Sequence, residues 1–142
     1  MISLIPLCTA EVDVAPPLSL GLTPTGQRSV SDIRSVKVTG DRMRATLAGA
    51  AAADWMIITG SLGTVDVRMT LRTHDDALIL ARYTGRLDLS NPKAGLYAYV
   101  APLFETGDER YAWLTRIQVV GKGLVTPGTA GARIDYEFYE LR

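Results

Sequence analysis

Two neighbouring extended segments carry acidic and basic side chains that could act together on one small molecule. Asp66 and Arg68 lie two residues apart in the alternating run TVDVRMTLRT, and Arg82 lies on the next predicted strand. Residues two apart on a strand share a face. If that face points inward, the arginines would anchor a carboxylate or an enolate, and Asp66 would hold one of them or move a proton. If it points outward, the three residues form an ion-pair ladder on the surface.

Two further carboxylates stand close to aromatic residues. Asp54 precedes Trp55 at a predicted strand end, where it suits a general base beside a flat substrate; a turn-capping Asp next to a core Trp is the structural alternative. Glu105 lies near Arg110 and Trp113, and a hairpin there would either assemble a site or only lock the hairpin. The predicted catalytic residues are Asp54, Asp66 and Glu105.

Aromatic residues at alternating positions are candidates for lining an apolar cavity. Tyr97 and Tyr99 share one face of a predicted strand, and Tyr136 and Phe138 share one face of another. Such pairs bind a ring by edge and face contacts, although aromatic residues on strands more often belong to a packed core. The predicted ligand-binding residues are Trp55, Arg68, Arg82, Tyr97, Tyr99, Trp113 and Tyr136.

Composition argues against several classes of function. Lys and Arg total 15, as do Asp and Glu, so no global field draws the chain to nucleic acid or to an anionic membrane. One cysteine, Cys8, and one histidine, His74, cannot build the usual zinc site, and no nucleotide-binding glycine motif is present. The N-terminal MISLIPLC is too short for a signal peptide. We predict a cytoplasmic protein without metal or cofactor, with a small-molecule ligand and a homodimeric assembly.

The elements that must position these residues are strands, because the dominant hydrophobic period is two. The pattern predicts a hairpin over 64–87, and LSLGLTPTGQR is expected to be an extended connection over one end of the domain. Closing the sheet removes its unpaired edges. We therefore predict one all-β domain over 1–142 that forms a single closed antiparallel barrel of about eight or nine strands. A β-sandwich is the alternative. The other predicted strands are 5–14, 32–38, 42–50, 55–59, 97–106, 113–122 and 132–141.

Short strings along the whole chain resemble one protein family. They are LGLTPTGQR, ADW at 53–55, APLFETG at 101–107, RYAWL at 110–114, VGKG at 120–123 and the closing YEFYEL. FETG followed by RYAWL is a specific signal. The pattern resembles a bacterial and fungal family known as domain of unknown function 3237, whose members are similar to lipocalin-like (calycin-like) barrels. The resemblance implies the same architecture as the periodicity and assigns no activity.

The chain departs from the family pattern at two places. Ala50 to Ala53 precede Asp54 where the family usually has Pro-Gly-Gly-Ala, which implies a stiffer barrel mouth. Thr115 stands where the family tends to have Asn, so a role for an amide is not carried over to that position.

Residues and resemblance together predict a barrel that binds a small aromatic or carboxylate-bearing compound. A carboxylate base and an arginine anchor in its pocket would catalyse a lyase or isomerase step without a cofactor. The rival interpretation is a non-catalytic ligand-binding or protein-interaction module on the same fold. An enzyme is expected to hold perturbed carboxylates in a wet cavity, and a carrier a mostly apolar one.

Overall fold

The computed structural model describes all 142 residues, and one antiparallel sheet of eleven strands makes up most of it. Two short 3-10 helices, Pro92–Ala94 and Glu109–Arg116, connect strands, and we call the second one the closing helix. The strands are β1 (Leu4–Val14), β2 (Leu18–Thr23), β3 (Gly26–Thr39), β4 (Ala45–Leu47), β5 (Ala53–Thr59), β6 (Leu62–Thr73), β7 (Leu78–Asp88), β8 (Leu96–Val100), β9 (Leu103–Glu105), β10 (Val119–Gly128) and β11 (Gly131–Leu141).

Eight of the strands are linked in a ring of hydrogen-bonded neighbours. The order of pairing is β6, β5, β3, β1, β11, β10, β8 and β7, and β7 in turn pairs with β6. This last pairing runs from Leu62 opposite Asp88 to Arg72 opposite Leu78. Each strand of the ring therefore has a neighbour on both sides, which is how a sheet avoids a long unpaired edge. The short strands β2, β4 and β9 pair alongside the ring.

The inner face of the ring is apolar because side chains alternate along each strand. On β6, Val65, Val67, Met69 and Leu71 are buried, whereas Arg68 between them is exposed. The buried side chains belong to one cluster of 25 residues that draws on most of the strands. The predicted all-β class and antiparallel sheet are therefore confirmed, with eleven strands in place of about eight or nine.

The predicted strand over 113–122 is wrong in its first half, which belongs to the closing helix. The side chain of Asp108 accepts the backbone N–H of Arg110 and so caps the helix start. Tyr111 and Leu114, three residues apart, are both buried, as expected for one face of a helix. Local capping and burial thus override the strand pattern, and β10 begins only at Val119.

Three other segments also differ from the prediction. The predicted strand over 97–106 is divided into β8 and β9, since Pro102 between them has no N–H for the ladder. Only β4 forms within 42–50. LSLGLTPTGQR is a hairpin of β2 and the start of β3, not an extended connection, and a φ of 132° at Gly26 accommodates its turn.

The closing helix is tied to the turn between β6 and β7. The Tyr111 hydroxyl and the Thr73 hydroxyl each donate to the same carboxylate oxygen of Asp75 at 2.7 Å. Arg110 donates to the Asp75 carbonyl oxygen at 2.9 Å. The hydrogen bonds from Thr73 and Tyr111 lower the pKa of Asp75 to about 2. With Leu114 of the helix completely buried, this end of the sheet is closed.

Candidate functional site

A cavity opens at the end of the sheet opposite the closing helix. Its volume is about 340 Å³, and 14 of its 22 lining residues are hydrophobic. The deeper wall comes from strands β3, β5, β6, β7, β8 and β11. The rim comes from the segment after β1 and from the β10–β11 hairpin, and it includes Pro16, Pro17, Pro127, Gly128 and Thr129. A cavity of this size fits a small molecule.

An ion pair fixes the rim of the cavity. Arg34 donates to both carboxylate oxygens of Asp13 at 3.0 Å, in a bidentate arrangement. The same guanidinium donates to the carbonyl oxygen of Ala130 at 2.8 Å. The tip of the β10–β11 hairpin is therefore held against the end of β1.

Asp54 is the one side chain of the cavity wall that can carry a full charge at neutral pH. Its carboxylate accepts the backbone N–H of Asp66 at 3.0 Å. Pairing between β5 and β6 stops after Asp54 opposite Val67 and resumes at Ile57 opposite Thr64, so the carboxylate uses an N–H inside a gap in the ladder. Burial raises the pKa of Asp54 to about 6, although this hydrogen bond opposes the rise. A carboxyl group with such a pKa exchanges protons near neutral pH.

Two tyrosine side chains from different walls accompany Asp54. Tyr83 lies on β7 and Tyr136 on β11, and their rings meet edge to face with centroids 5.7 Å apart. Burial raises the pKa of Tyr83 well above its ordinary value and that of Tyr136 to about 12, and the charge of Asp54 adds to both shifts. Both hydroxyls therefore keep their protons at neutral pH and can donate hydrogen bonds to a ligand.

One cross-strand row explains why these groups share the cavity. Ser31 on β3 lies opposite Asp54 on β5, Asp54 lies opposite Val67 on β6, and Val67 lies opposite Tyr83 on β7. Directly opposed residues in antiparallel strands project from the same face. All four line the cavity, so Ser31 adds a buried hydroxyl beside the carboxylate.

Two glycines of β10 make room for the aromatic rings of β11. A Cβ atom at Gly123 would lie 2.5 Å from a ring carbon of Tyr136, and one at Gly121 would lie 2.4 Å from ring carbons of Phe138. The two rings stack with centroids 5.0 Å apart. Tyr136 also borders a smaller, almost wholly hydrophobic cavity of about 30 Å³, which Phe138 helps to line. The glycines thus set where the Tyr136 ring lies.

Four of the predicted site residues lie on the outer face of the sheet. Arg68 and Arg82 are exposed and directly opposite each other, and Asp66 alternates with the buried Val65 and Val67. No salt bridge joins Asp66 to either arginine, so the three residues form neither an inward anchor nor an ion-pair ladder. Trp55 also faces outward, with the Arg68 guanidinium 5.3 Å from its ring centroid. None of the four lines the cavity.

The remaining predicted residues also lie away from the cavity. Tyr97 and Tyr99 hold the Lys122 ammonium over their rings on the outer face, at 4.5 and 5.9 Å from the ring centroids. Trp113 belongs to the closing helix, where Arg42 covers its ring. Glu105 is exposed on β9, and Arg110 pairs with Asp108 and Asp75 instead of with it. The structure brings together only Asp54 and Tyr136 from the predicted set.

No group of three or more His, Cys, Asp or Glu side chains converges in a way that would hold a metal ion. Neither of the two helices has the length and apolar character needed to cross a membrane. The predicted lack of a cofactor stays a prediction.

Residues 2–141 match the model of one protein family, described as Protein of unknown function (DUF3237). The chain belongs to the DUF3237 family. This confirms the resemblance drawn from its short strings, which the match spans almost from end to end. Among curated proteins, no sequence matches significantly.

Solved structures similar to this DUF3237 protein share its fold. A β-barrel-like protein from Acinetobacter baumannii AYE is 26% identical, with a TM-score of 0.84 over 100% of this chain and 97% of its own. A protein of unknown function from Clostridium acetobutylicum ATCC 824 is 19% identical, with a TM-score of 0.85 and complete coverage of both chains. An enzyme from Penicillium herquei is 18% identical, with a TM-score of 0.72 over 100% of this chain and 94% of its own.

The strings that carried the resemblance have distinct places in this DUF3237 structure. ADW puts Asp54 into the cavity and Trp55 on the outer face. VGKG supplies the two glycines behind Tyr136 and Phe138. RYAWL lies within the closing helix. Of these three strings, ADW therefore contributes a wall residue of the cavity, VGKG leaves room for the Tyr136 ring of that wall, and RYAWL closes the opposite end of the sheet.

Proposed function

We propose that this protein is a cofactor-independent enzyme of the lyase or isomerase type, acting on a small aromatic compound in the 340 Å³ cavity. The observation that carries the proposal is a single half-buried carboxyl group, Asp54, whose pKa is raised to about 6, beside two protonated tyrosines in a mostly apolar cavity. A carboxylate pKa displaced toward the working pH by burial is typical of a general base.

The proposal also depends on the fold, because the strands of the sheet form the wall of the cavity. The ring of pairings from β6 to β7 supports a closed, lipocalin-like barrel of eight strands, and the single core cluster supports one domain over 1–142. A barrel of that size encloses space for side chains or for one small ligand. Homodimer formation and a cytoplasmic location stay predictions.

In the proposed reaction, the Asp54 carboxylate removes a proton from a carbon next to a carbonyl group. The electron pair of the C–H bond moves to the carbonyl oxygen, and the hydroxyls of Tyr83 and Tyr136 donate hydrogen bonds to the resulting enolate. An isomerase returns the proton from Asp54 to a different carbon. A lyase instead expels a leaving group from the neighbouring carbon as the carbonyl re-forms. Tyrosines that remain protonated are suited to stabilise the enolate in either case.

The second candidate is a non-catalytic carrier, favoured by the apolar majority among the lining residues. A carrier needs the cavity and its hydrogen-bonding groups but not the proton-accepting form of Asp54. The Asp54→Asn variant therefore distinguishes an enzyme from a carrier. It keeps an oxygen that accepts the Asp66 N–H but loses the base, so a carrier would still bind its ligand and an enzyme would lose its activity.

The experiment begins with a thermal-shift screen against phenols, cyclic ketones, lactones and aromatic acids, because a ligand of the folded state raises its apparent stability. Each carbonyl compound that binds is then incubated with the protein in D2O, and deuterium incorporation is followed by NMR. We expect exchange by the natural protein and by the control Asp41→Asn, which removes an exposed carboxylate that does not line the cavity, and its loss in Asp54→Asn. Equal exchange in Asp54→Asn would show that Asp54 is not the base.

A further inference from the structure

The charges that surround the cavity restrict its ligand. Its 22 lining residues include no Lys, Arg or His, and Asp54 is the only acid among them. The nearby arginines of β6 and β7, Arg68 and Arg82, lie on the other face of the sheet. An anionic ligand would therefore enter a mostly apolar space beside a carboxylate, without a counter-ion. Burial of such an unpaired charge is strongly unfavourable.

The wall does not act against a cationic ligand in the same way. An ammonium group brings three N–H donors, and each of them needs an acceptor once water is removed. The Asp54 carboxylate and the hydroxyl oxygens of Ser31, Tyr83 and Tyr136 can accept them, although one Asp54 oxygen already accepts the Asp66 N–H. The restriction therefore falls on anionic ligands.

We infer that the ligand of this cavity is a ring compound that bears a carbonyl or phenolic oxygen and no anionic group, and that carboxylates are rejected. The inference rests on the proposed function in taking this cavity as the working site, and it narrows the expected substrate class by removing carboxylate-bearing compounds. The oxygen of the ligand lies among Asp54, Tyr83 and Tyr136, and its apolar ring extends toward the proline-rich rim.

Three probes of similar shape and different charge test the inference: 2-naphthol, 2-naphthoate and 2-naphthylmethylamine. Their dissociation constants are measured by calorimetry at about pH 8. This pH is above the pKa of about 6 of Asp54, so Asp54 is ionised, and below the pKa values of naphthol and the amine, so naphthol is neutral and the amine is cationic. We expect naphthol to bind at least about tenfold more tightly than naphthoate, and the amine, which can pair with Asp54, also to bind more tightly than naphthoate. Equal or tighter binding of naphthoate than of naphthol would overturn the inference, as would failure of all three probes to bind.

A pair of matched variants locates the source of the discrimination. Asp54→Asn removes the charge inside the cavity, and Asp41→Asn removes the same charge from an exposed position that does not line the cavity. We expect Asp54→Asn to bind naphthoate about tenfold more tightly than the natural protein and to retain naphthol binding, and Asp41→Asn to leave all three affinities unchanged. Identical effects of both variants on naphthoate would show that the cavity charge is not responsible.

Binding and exchange measurements keep the two proposals separate. If naphthol is preferred but Asp54→Asn still catalyses deuterium exchange, the ligand class stands and the proposed base fails. If exchange depends on Asp54 but naphthoate binds as well as naphthol, the base stands and the ligand class fails.

Discussion

The carboxylate of Asp54 accepts the backbone N–H of Asp66 across a gap in the ladder between β5 and β6. The two aspartates therefore differ in what they present to the cavity. Asp54 supplies its side chain, whereas Asp66 supplies only its backbone and directs its side chain to the outer face. One N–H donor does not replace the water that an exposed carboxylate would have, so ionised Asp54 is held at a cost in stability.

This cost predicts that Asp54→Asn stabilises the protein at neutral pH. The folded state holds the Asp54 proton more tightly, with a pKa of about 6 against an ordinary 3.8, so the contribution of Asp54 to folding stability is greatest below pH 3.8 and falls as pH rises toward 6. The variant lacks this loss, and we expect it to be more stable by about 2–3 kcal/mol above pH 7 and equal to the natural protein at low pH.

Urea unfolding of both proteins between about pH 3 and 8 measures the difference. Asp41→Asn, which removes one charge from an exposed position that does not line the cavity, controls for the change in net charge. A variant that is less stable than the natural protein at pH 8 would contradict the prediction.

The glycine behind Tyr136 is predicted to control ligand binding. An alanine Cβ at 123 would meet the Tyr136 ring at 2.5 Å, so Gly123→Ala is expected to displace the ring, to lower stability by about 1–3 kcal/mol, and to weaken ligand-induced thermal shifts. Gly107→Ala is the matched control, because its added Cβ meets nothing within 4 Å. Unchanged ligand binding in Gly123→Ala would mean that Tyr136 does not contact the ligand.

The sequence predicts the fold well because alternation is local and strong. The observed β1, β6, β7 and β11 agree closely with predicted strands at 5–14, 64–87 and 132–141. The closing helix was not predicted, since the hydrogen bonds of Tyr111 and Thr73 to Asp75 join segments far apart in the chain. Pro102 divides β8 from β9 because it lacks the N–H that a continuous ladder requires, and alternation alone does not show such a break.

The site is predicted only in part because alternation does not say which face is inside. Asp66, Arg68 and Arg82 are the more conspicuous polar groups. On β6, however, the buried valines that alternate with Asp66 and Arg68 show that the valine face points inward. Tyr83 follows Arg82 directly and therefore points inward where Arg82 points outward, and Ser31 shows its importance only through its register with Asp54. The apolar neighbours of Tyr83 in the alternating pattern were the available signal.

The anchoring of the closing helix is predicted to weaken in acid. Tyr111→Phe removes the hydroxyl that donates to Asp75 at 2.7 Å, and we expect a lower Tm at neutral pH. Hydrogen bonds lower the pKa of Asp75 to about 2, so they contribute stability above pH 3.8 that is lost as pH falls toward 2. Thermal unfolding at several pH values should show the two Tm values converging in this range. A constant difference would show that the anchoring does not depend on ionised Asp75.

The opposed arginines on the outer face predict a stabilising charge reversal. Arg68 lies directly opposite Arg82, and like charges at such positions repel. Arg82→Glu is expected to raise stability by about 0.2–1 kcal/mol at low ionic strength, with a smaller gain in high salt. Ligand binding should be unaffected, because Arg82 does not line the cavity. A lost thermal shift in this variant would instead make Arg82 a ligand anchor.

The cavity floor and the cavity rim belong to different kinds of structure. Ser31, Asp54 and Tyr83 are fixed by strand register, so none of them moves without disturbing the sheet. The rim at 15–17 and 127–131 combines the connection after β1 with the tip of the β10–β11 hairpin, where substitutions are tolerated more readily than inside a ladder. Substitutions in these two segments can therefore change the shape of the cavity mouth while the floor stays in place, and they are the positions at which a protein engineer would start.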